Sequence, residues 1–384
     1  MSDDHFRTEL SRRTLMKLAA GAAGAAAIAP ALRASGVSAQ DDVWTTPVDM
    51  AKAKEQARPL VTYGMPNDWA NYGEVYQAFW TSLGITDADL TKDHIDTDMS
   101  SLEEITKFDE EKNNANAMMA DIGMLWGQIA EERGVLPSYL PPAAEQLPEG
   151  YKSATGGWVA TFAGVPAFVV NTDAISQQGL PMPATWADLL KPELKGKVGS
   201  PGDPRSSGTA QTTFLAWAYA NGGDAGNLDP AVEYAKQLIG QYSAAESTVD
   251  LLEKGEIVLW IRYDFNCNAA VNTLKEKYIN AKTVIPGVSI YAPSALMVNK
   301  FNTAKSEATK AFMEFVLSDE AQTVFARFGA RPIRSVLGLL ELPAEATANW
   351  LPEADYAQVK IVEDFTAIDA QQISDIWDTE VLGN

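Results

Sequence analysis

Gly157-Trp158-Val159-Ala160-Thr161-Phe162 and Val165-Pro166-Ala167-Phe168-Val169-Val170-Asn171 are two apolar runs almost in series, rich in aromatic and β-branched residues and without helical spacing. That composition, over so few residues each, predicts two extended, buried segments. Extended segments joining two halves of a protein make good hinges. The stretch is therefore read as a junction within the chain.

On both sides of it, short apolar strands alternate with amphipathic helices, the pattern of α/β layers. Upstream, Pro59-Leu60-Val61-Thr62-Tyr63 reads as a buried strand ending at Gly64, and Val75, Ala78, Phe79 and Leu83 then recur at helical spacing. Ser100 and Ser101 precede Glu103 and Glu104 by three residues each, a capping-box pattern that starts a helix. The next strand is expected at Asp121-Ile122-Gly123-Met124, with Met124-Leu125-Trp126 at its end. Downstream, Thr185-Trp186-Ala187-Asp188 is a further capping box, and Gly196-Lys197-Val198-Gly199 a short strand running into Pro201 to Thr209. Phe214, Trp217 and Ala218 mark a helix. Ser247 with Asp250 is expected to cap a short helix ending at Gly255. Ile257 to Ile261 forms a strongly apolar strand whose carboxyl end delivers Arg262-Tyr263-Asp264. Later, Ala308, Ala311, Phe312, Phe315 and Val316 share a helix face, Ser318 caps another helix, and Gly329 with Pro332 stops it.

Composition narrows the function. The chain has 384 residues, enough for two domains, and 30 Lys+Arg against 51 Asp+Glu give a formal charge of −21. Nucleic acid is excluded as a natural partner, because such binding is driven by cations neutralising phosphates. A basic membrane-surface patch is disfavoured for the same reason. The single Cys267 rules out an internal disulfide, and no Cys/His cluster offers a structural zinc site. His94 lies in a polar stretch and is expected to be solvated. No haem, iron–sulfur or dinucleotide motif is present, so no cofactor and no metal are expected.

The first 39 residues read as an address. Ser11-Arg12-Arg13-Thr14-Leu15-Met16-Lys17, a weakly apolar run from Leu18 to Leu32, and Val37-Ser38-Ala39 together resemble a twin-arginine export signal. The predicted location is the periplasm. The lack of a lipobox Cys near the cleavage point predicts a protein free in that compartment.

Candidate binding residues are sought where polar loops follow strand ends, since ligands of open α/β sheets bind there. Asn67, Asp68 and Trp69 combine an amide, a carboxylate and an aromatic face suited to a polar or cationic ligand. Trp126 and Tyr263 add walls, and Asp264 a counter-charge. Arg205, Ser206, Ser207 and Thr209 lie at a helix start, where backbone N–H groups and hydroxyls favour an anion. The plainer reading is that Ser206 or Ser207 only caps its own helix. Trp158, Trp186, Trp217 and Trp260 sit in apolar periodic runs and are read as packing. Asp68 and Asp264 are also a conceivable acid/base pair, although no nucleophile or metal accompanies them.

From about Pro59 to Ser335 the order of landmarks resembles that of the periplasmic solute-binding proteins of ABC importers, the group serving iron, thiamine, phosphonates and polyamines. The residues that carry the resemblance are Leu60-Val61-Thr62-Tyr63, Ala120-Asp121-Ile122, Gly164-Val165-Pro166 with Asn171-Thr172, Pro183 to Leu189, and Ser207-Gly208-Thr209. Gly255-Glu256-Ile257 and Leu317 to Gln322 before Gly329 to Arg334 complete it. The resemblance implies a type II periplasmic binding fold. Its two α/β lobes, each a mixed sheet flanked by helices, would comprise residues 40–163 with 292–345 and 164–291 with 346–384. It implies hinge closure over a ligand, recognition by importer membrane subunits, a monomer, and no enzymatic activity. It also places Arg262-Tyr263-Asp264 where ferric-binding members carry adjacent tyrosines, so Asp264 leaves a paired-phenolate iron site incomplete. For the ligand, the reading leans toward an amine-bearing solute, a polyamine or an amino-phosphonate or other zwitterion. The alternatives are an exported enzyme using Asp68, Asp264 or Tyr263, and a sensor protein that presents its ligand to a membrane receptor.

Overall fold

The structure is a computed structural model and describes residues 43–362 and 364–384; the export signal lies outside them. Its frame is two mixed sheets. The first runs β11-β4-β10-β3-β1-β2, built from β1 (Leu60–Tyr63), β2 (His94–Thr97), β3 (Met119–Gly123), β4 (Trp158–Gly164), β10 (Ala292–Val298) and β11 (Arg331–Pro332). The second runs β6-β7-β5-β8, built from β5 (Pro166–Asn171), β6 (Val198–Gly199), β7 (Leu259–Tyr263) and β8 (Ala281–Val284). A parallel pair, β9 (Ser289–Ile290) with β12 (Val359–Lys360), brings the C-terminal segment back beside the second crossover.

The two runs around residue 164 are β4 and β5, buried at every position, and continuous burial is why neither alternates between apolar and polar residues. They belong to different sheets. Between Gly164 and Pro166 only Val165 intervenes, and on the return only Tyr291 separates Ile290 from Ala292. The crossings lie side by side, since Ala292 pairs with Gly164 and Pro166 with Tyr263.

Helices cover both sheets. Ser100 forms a capping box with Glu103 at the start of Ser101–Glu110, Thr185 does so with Asp188, and Ser318 accepts from Ala321 N to open Asp319–Phe328. Gly329 ends that last helix in the left-handed region at φ 111°, as a glycine stop should. Helix Ser306–Phe315 buries Lys310 completely. Its Nζ lies 3.0 Å from Glu307 and donates to the carbonyls of Val43 and Thr46, which ties down the start of the described chain.

Some expectations need correction. Thr248, not Ser247, caps Val249–Glu253, while Ser247 Oγ instead accepts from Ser200 N at 3.0 Å. The strand after Gly255 is Leu259–Tyr263, with Ile257 and Val258 buried just ahead of it. His94 is not solvated: its ring packs against that of Tyr76 with centroids 4.1 Å apart and planes tilted by 35°, Nε2 lies 2.9 Å from Thr62 Oγ1, and burial pulls its pKa down to about 4. Trp158, Trp186 and Trp217 are core residues as expected. No helix among the described residues is long and apolar enough to cross a membrane.

Candidate ligand-binding site

The carboxyl ends of β1 and β3 in the first sheet and of β7 in the second meet around a cavity of about 260 Å³. That is room for a small organic solute. The first sheet supplies Gly64, Pro66, Trp69, Asp98, the helix start Ser100-Ser101, Glu104, Asp121, Gly123 and Ser294. The second supplies Pro201, the helix start Ser207-Gly208-Thr209, Arg262 and Tyr263.

The two walls touch. Leu102 N donates to Ser206 O at 3.2 Å, from the first turn of Ser101–Glu110 to the loop before Gly208–Ala220. Beside that bond the two backbones meet at glycines: a Cβ on Gly208 would stand 2.6 Å from Gly123 Cα, and one on Gly123 the same distance from Gly208 Cα. Any side chain at either position would force the walls apart. Trp69 reaches across as well, its ring 6.4 Å from that of Tyr263 and edge-on to Phe265 at 5.5 Å.

Asp121 is buried on the first wall. Its Oδ2 accepts from Trp69 Nε1 at 2.7 Å and its Oδ1 from Tyr72 Oη at 3.0 Å. Burial pushes its pKa up to about 7, although both bonds act in the opposite direction. Glu104 is fully buried beside it, one carboxyl oxygen has no partner, and burial with the charges of Asp121, Asp96, Asp98 and Glu103 holds its pKa well above the carboxylate range.

On the opposite wall, Arg262 lays its guanidinium over the Trp260 ring at 4.6 Å, and its Nε has no partner. Ser207 accepts from Ala210 N at 3.3 Å, so it caps its helix and lines the cavity at once. Tyr263 shares a hydrogen bond with Thr212 at 2.8 Å, and burial raises its pKa to about 12. At neutral pH it is thus a neutral phenol in this structure.

Of the residues singled out in the sequence, Trp69, Ser207, Thr209, Arg262 and Tyr263 come together here. The others do not. Asn67 and Asp68 are exposed in the turn outside the cavity. Ser206 contributes its carbonyl to the bond between the walls, and its side chain is not part of the lining. Arg205 is on the surface, paired with Asp203 at 2.6 Å and Asp378 at 2.7 Å. Trp126 is a core residue that faces a shallow depression beside Arg205. Asp264, the first residue of helix Asp264–Glu276, turns away from the cavity toward the crossover: its carboxylate accepts from Val165 N at 2.8 Å and Tyr356 Oη at 2.6 Å. That commitment removes the acid/base pair with Asp68. Asp121, Glu104, Ser101 and Ser294 are the additions. A lone carboxylate inside the apolar run Met118 to Ile122 was the available signal for Asp121. Among the described residues no group of three His, Cys, Asp or Glu could hold a metal ion.

Two mixed sheets joined by crossovers, with a polar cavity where their strand ends face each other, define a two-lobed binding fold of the type II periplasmic class. A family model described as bacterial extracellular solute-binding protein matches residues 124–359, and the chain belongs to that family. The periplasmic binding protein P5PA has the same fold, with a TM-score of 0.62 and 25% identity, covering 84% of this chain and 99% of that one. AfuA from Actinobacillus pleuropneumoniae, a periplasmic binding protein solved with fructose-6-phosphate bound, superimposes with a TM-score of 0.64 at 21% identity, covering 85% and 98% of the two chains. A sulfate-binding protein of Synechocystis sp. is 30% identical over 159 residues, 38% of this chain and 43% of its own. The chain therefore spans less than half the length of that relative. Reading it as a binding protein and not an enzyme stands on this family.

Proposed function

We propose that the chain is the capture component of an ABC importer, exported by the twin-arginine route and working as a monomer in the periplasm, and that its ligand is a small zwitterion. The observation that carries the ligand class is the opposite polarity of the two walls. One wall presents Asp98, Glu104 and Asp121; the other presents Arg262, with an unpartnered Nε, beside the hydroxyls and N–H groups that open helix Gly208–Ala220. An acid group on the ligand would be met by Arg262, Ser207 and Thr209, and an amine by the carboxyls opposite. This deepens the lean toward an amine-bearing solute but disfavours a polyamine, which has nothing to offer Arg262. The sulfate-binding relative supports an oxyanion at the Arg262 wall, while the cavity is larger than a bare sulfate needs.

On this reading residues 40–163 with 292–345 form one lobe, and residues 164–291 with 346–384 the other. The single-residue crossings at Val165 and Tyr291 act as hinges. Contacts to both walls exist only in the closed form, so the ligand shifts the population toward it, and membrane subunits would read that form. Thermal-shift and calorimetric screening of zwitterions, plain oxyanions and polyamines tests the class. One-to-one binding of a zwitterion, returned chemically unchanged, is the expected result. Binding of sulfate or of a polyamine alone would overturn the ligand class, and turnover would overturn the capture role.

A further inference from the structure

We infer that Glu104 is the residue that receives the cationic end of the ligand, and that it does so by giving up its own proton to solvent as the ammonium arrives. The inference rests on the zwitterion reading and names the group that enforces it.

Geometry singles out Glu104. It lies in the first turns of helix Ser101–Glu110, lines the cavity, is fully buried, and leaves Oε2 without a hydrogen-bond partner. Gly64 leaves room for the carboxyl where it stands: a Cβ there would fall 1.9 Å from Glu104 Oε1, and the φ of +61° calls for glycine as well. A buried carboxyl with a vacant oxygen is costly until a donor meets it.

The charged groups around Glu104 are acidic from each neighbouring element: Asp121 on β3, Asp96 on β2, Asp98 in the following loop and Glu103 on its own helix. The one basic residue lining the cavity, Arg262, belongs to the opposite wall. Asp121 already spends both oxygens on Trp69 and Tyr72, so it is less able to accept a new donor. A ligand ammonium would find its vacant acceptor at Glu104. Its positive charge stabilises the ionised carboxylate that burial and the acidic neighbours disfavour. The Glu104 proton passes to buffer, the ammonium keeps its own, and no covalent bond changes.

Isothermal titration at pH 7 with 2-aminoethylphosphonate and 4-aminobutyrate, each beside its amine-less counterpart ethylphosphonate or butyrate, tests this in buffers of different ionisation enthalpy. In the wild type an amine-bearing probe should bind about tenfold or more tightly than its counterpart, with release of a proton to buffer. Glu104→Gln, nearly isosteric, should fold, lose that preference and release fewer protons than the wild type, the remainder coming from Asp121 and from the phosphonate's own second ionisation. An amine-bearing probe that releases as many protons in Glu104→Gln as in the wild type, or whose preference survives there, overturns the role of Glu104 and leaves the capture reading standing. Binding of neither pair, with a plain oxyanion bound instead, overturns the zwitterion reading and this inference with it.

Discussion

Tyr356 donates its phenolic proton to Asp264 at 2.6 Å, joining the C-terminal segment to the first turn of the helix that follows β7. The other Asp264 oxygen accepts from Val165 N, the single residue between the two sheets, and Arg331 stacks its guanidinium 3.6 Å above the Tyr356 ring. A carboxylate so placed holds the crossover and not the ligand. Asp264→Ala leaves the Val165 amide and the Tyr356 hydroxyl buried without their acceptor and should destabilise the protein by about 3 kcal/mol. Tyr356→Phe, which removes one bond, should cost about 1 kcal/mol. Urea titrations check both, and an unchanged midpoint for Asp264→Ala would return that residue to the ligand.

Arg262 should behave in the opposite way. Its guanidinium makes no ion pair among the described residues, and its Nε is unpartnered, so Arg262→Ala removes a desolvation cost along with the charge. Stability should stay level or rise, while affinity for the acid group falls about a hundredfold, as expected when a charge-assisted bond is lost. Calorimetry and thermal melts on one preparation separate the two effects, and equal losses in both would argue for a purely structural arginine.

The frame was legible in the sequence because burial on both faces leaves continuous apolar runs, as in β4 and β5, and because Ser100, Thr185 and Ser318 announce their helices with caps. The half of the site that follows strand ends, Ser207, Thr209, Arg262 and Tyr263, was legible by the same local logic. Glu104 was not, and Asp121 showed only as a lone carboxylate within an apolar strand. Glu104 reads locally as one more acidic residue in a first helical turn, and its meaning comes from Gly64, which lies forty residues upstream. Asp121 acquires its partners from Trp69 and Tyr72, on another element. Asp264 was assigned to the cleft because the first residue of a helix after a strand looks the same whether its side chain turns toward the ligand or back to a crossover.

Closure should depend on the Gly123 and Gly208 contact. Gly208→Ala puts a methyl group 2.6 Å from a backbone atom that has no side chain to move aside. The lobes must then stay apart by a fraction of an ångström or more, which weakens every contact made to both walls. Affinity should drop about tenfold or more, with far-UV circular dichroism and cooperative unfolding preserved. X-ray scattering should find a smaller ligand-induced contraction than in the wild type. A full contraction with wild-type affinity would mean that the walls do not meet here when ligand binds.

Acid should act on the ligand-free protein through opposed groups, His94 on one side and the buried carboxyls Asp121 and Glu104 on the other. His94 is held neutral by burial, with a folded pKa of about 4 against an ordinary 6.5. Between those values the unfolded chain binds the extra proton, so the stability His94 contributes is complete above about 6.5 and is lost as pH falls toward 4. Asp121 has the reverse sign: its folded pKa of about 7 lies above the ordinary 3.8, so its contribution is greatest at low pH and declines as pH rises through that interval. Between pH 4 and 6.5 His94 offsets part of the fall with rising pH that Asp121 and Glu104 impose, so the wild type should lie between the two variants in slope. His94→Gln should steepen the fall in stability with rising pH, and Asp121→Asn, which leaves Glu104 opposing His94, should make it shallower. Urea unfolding at half-unit steps from pH 4.5 to 7.5 measures the slopes, and parallel profiles for the two variants would show that neither group titrates as its surroundings dictate.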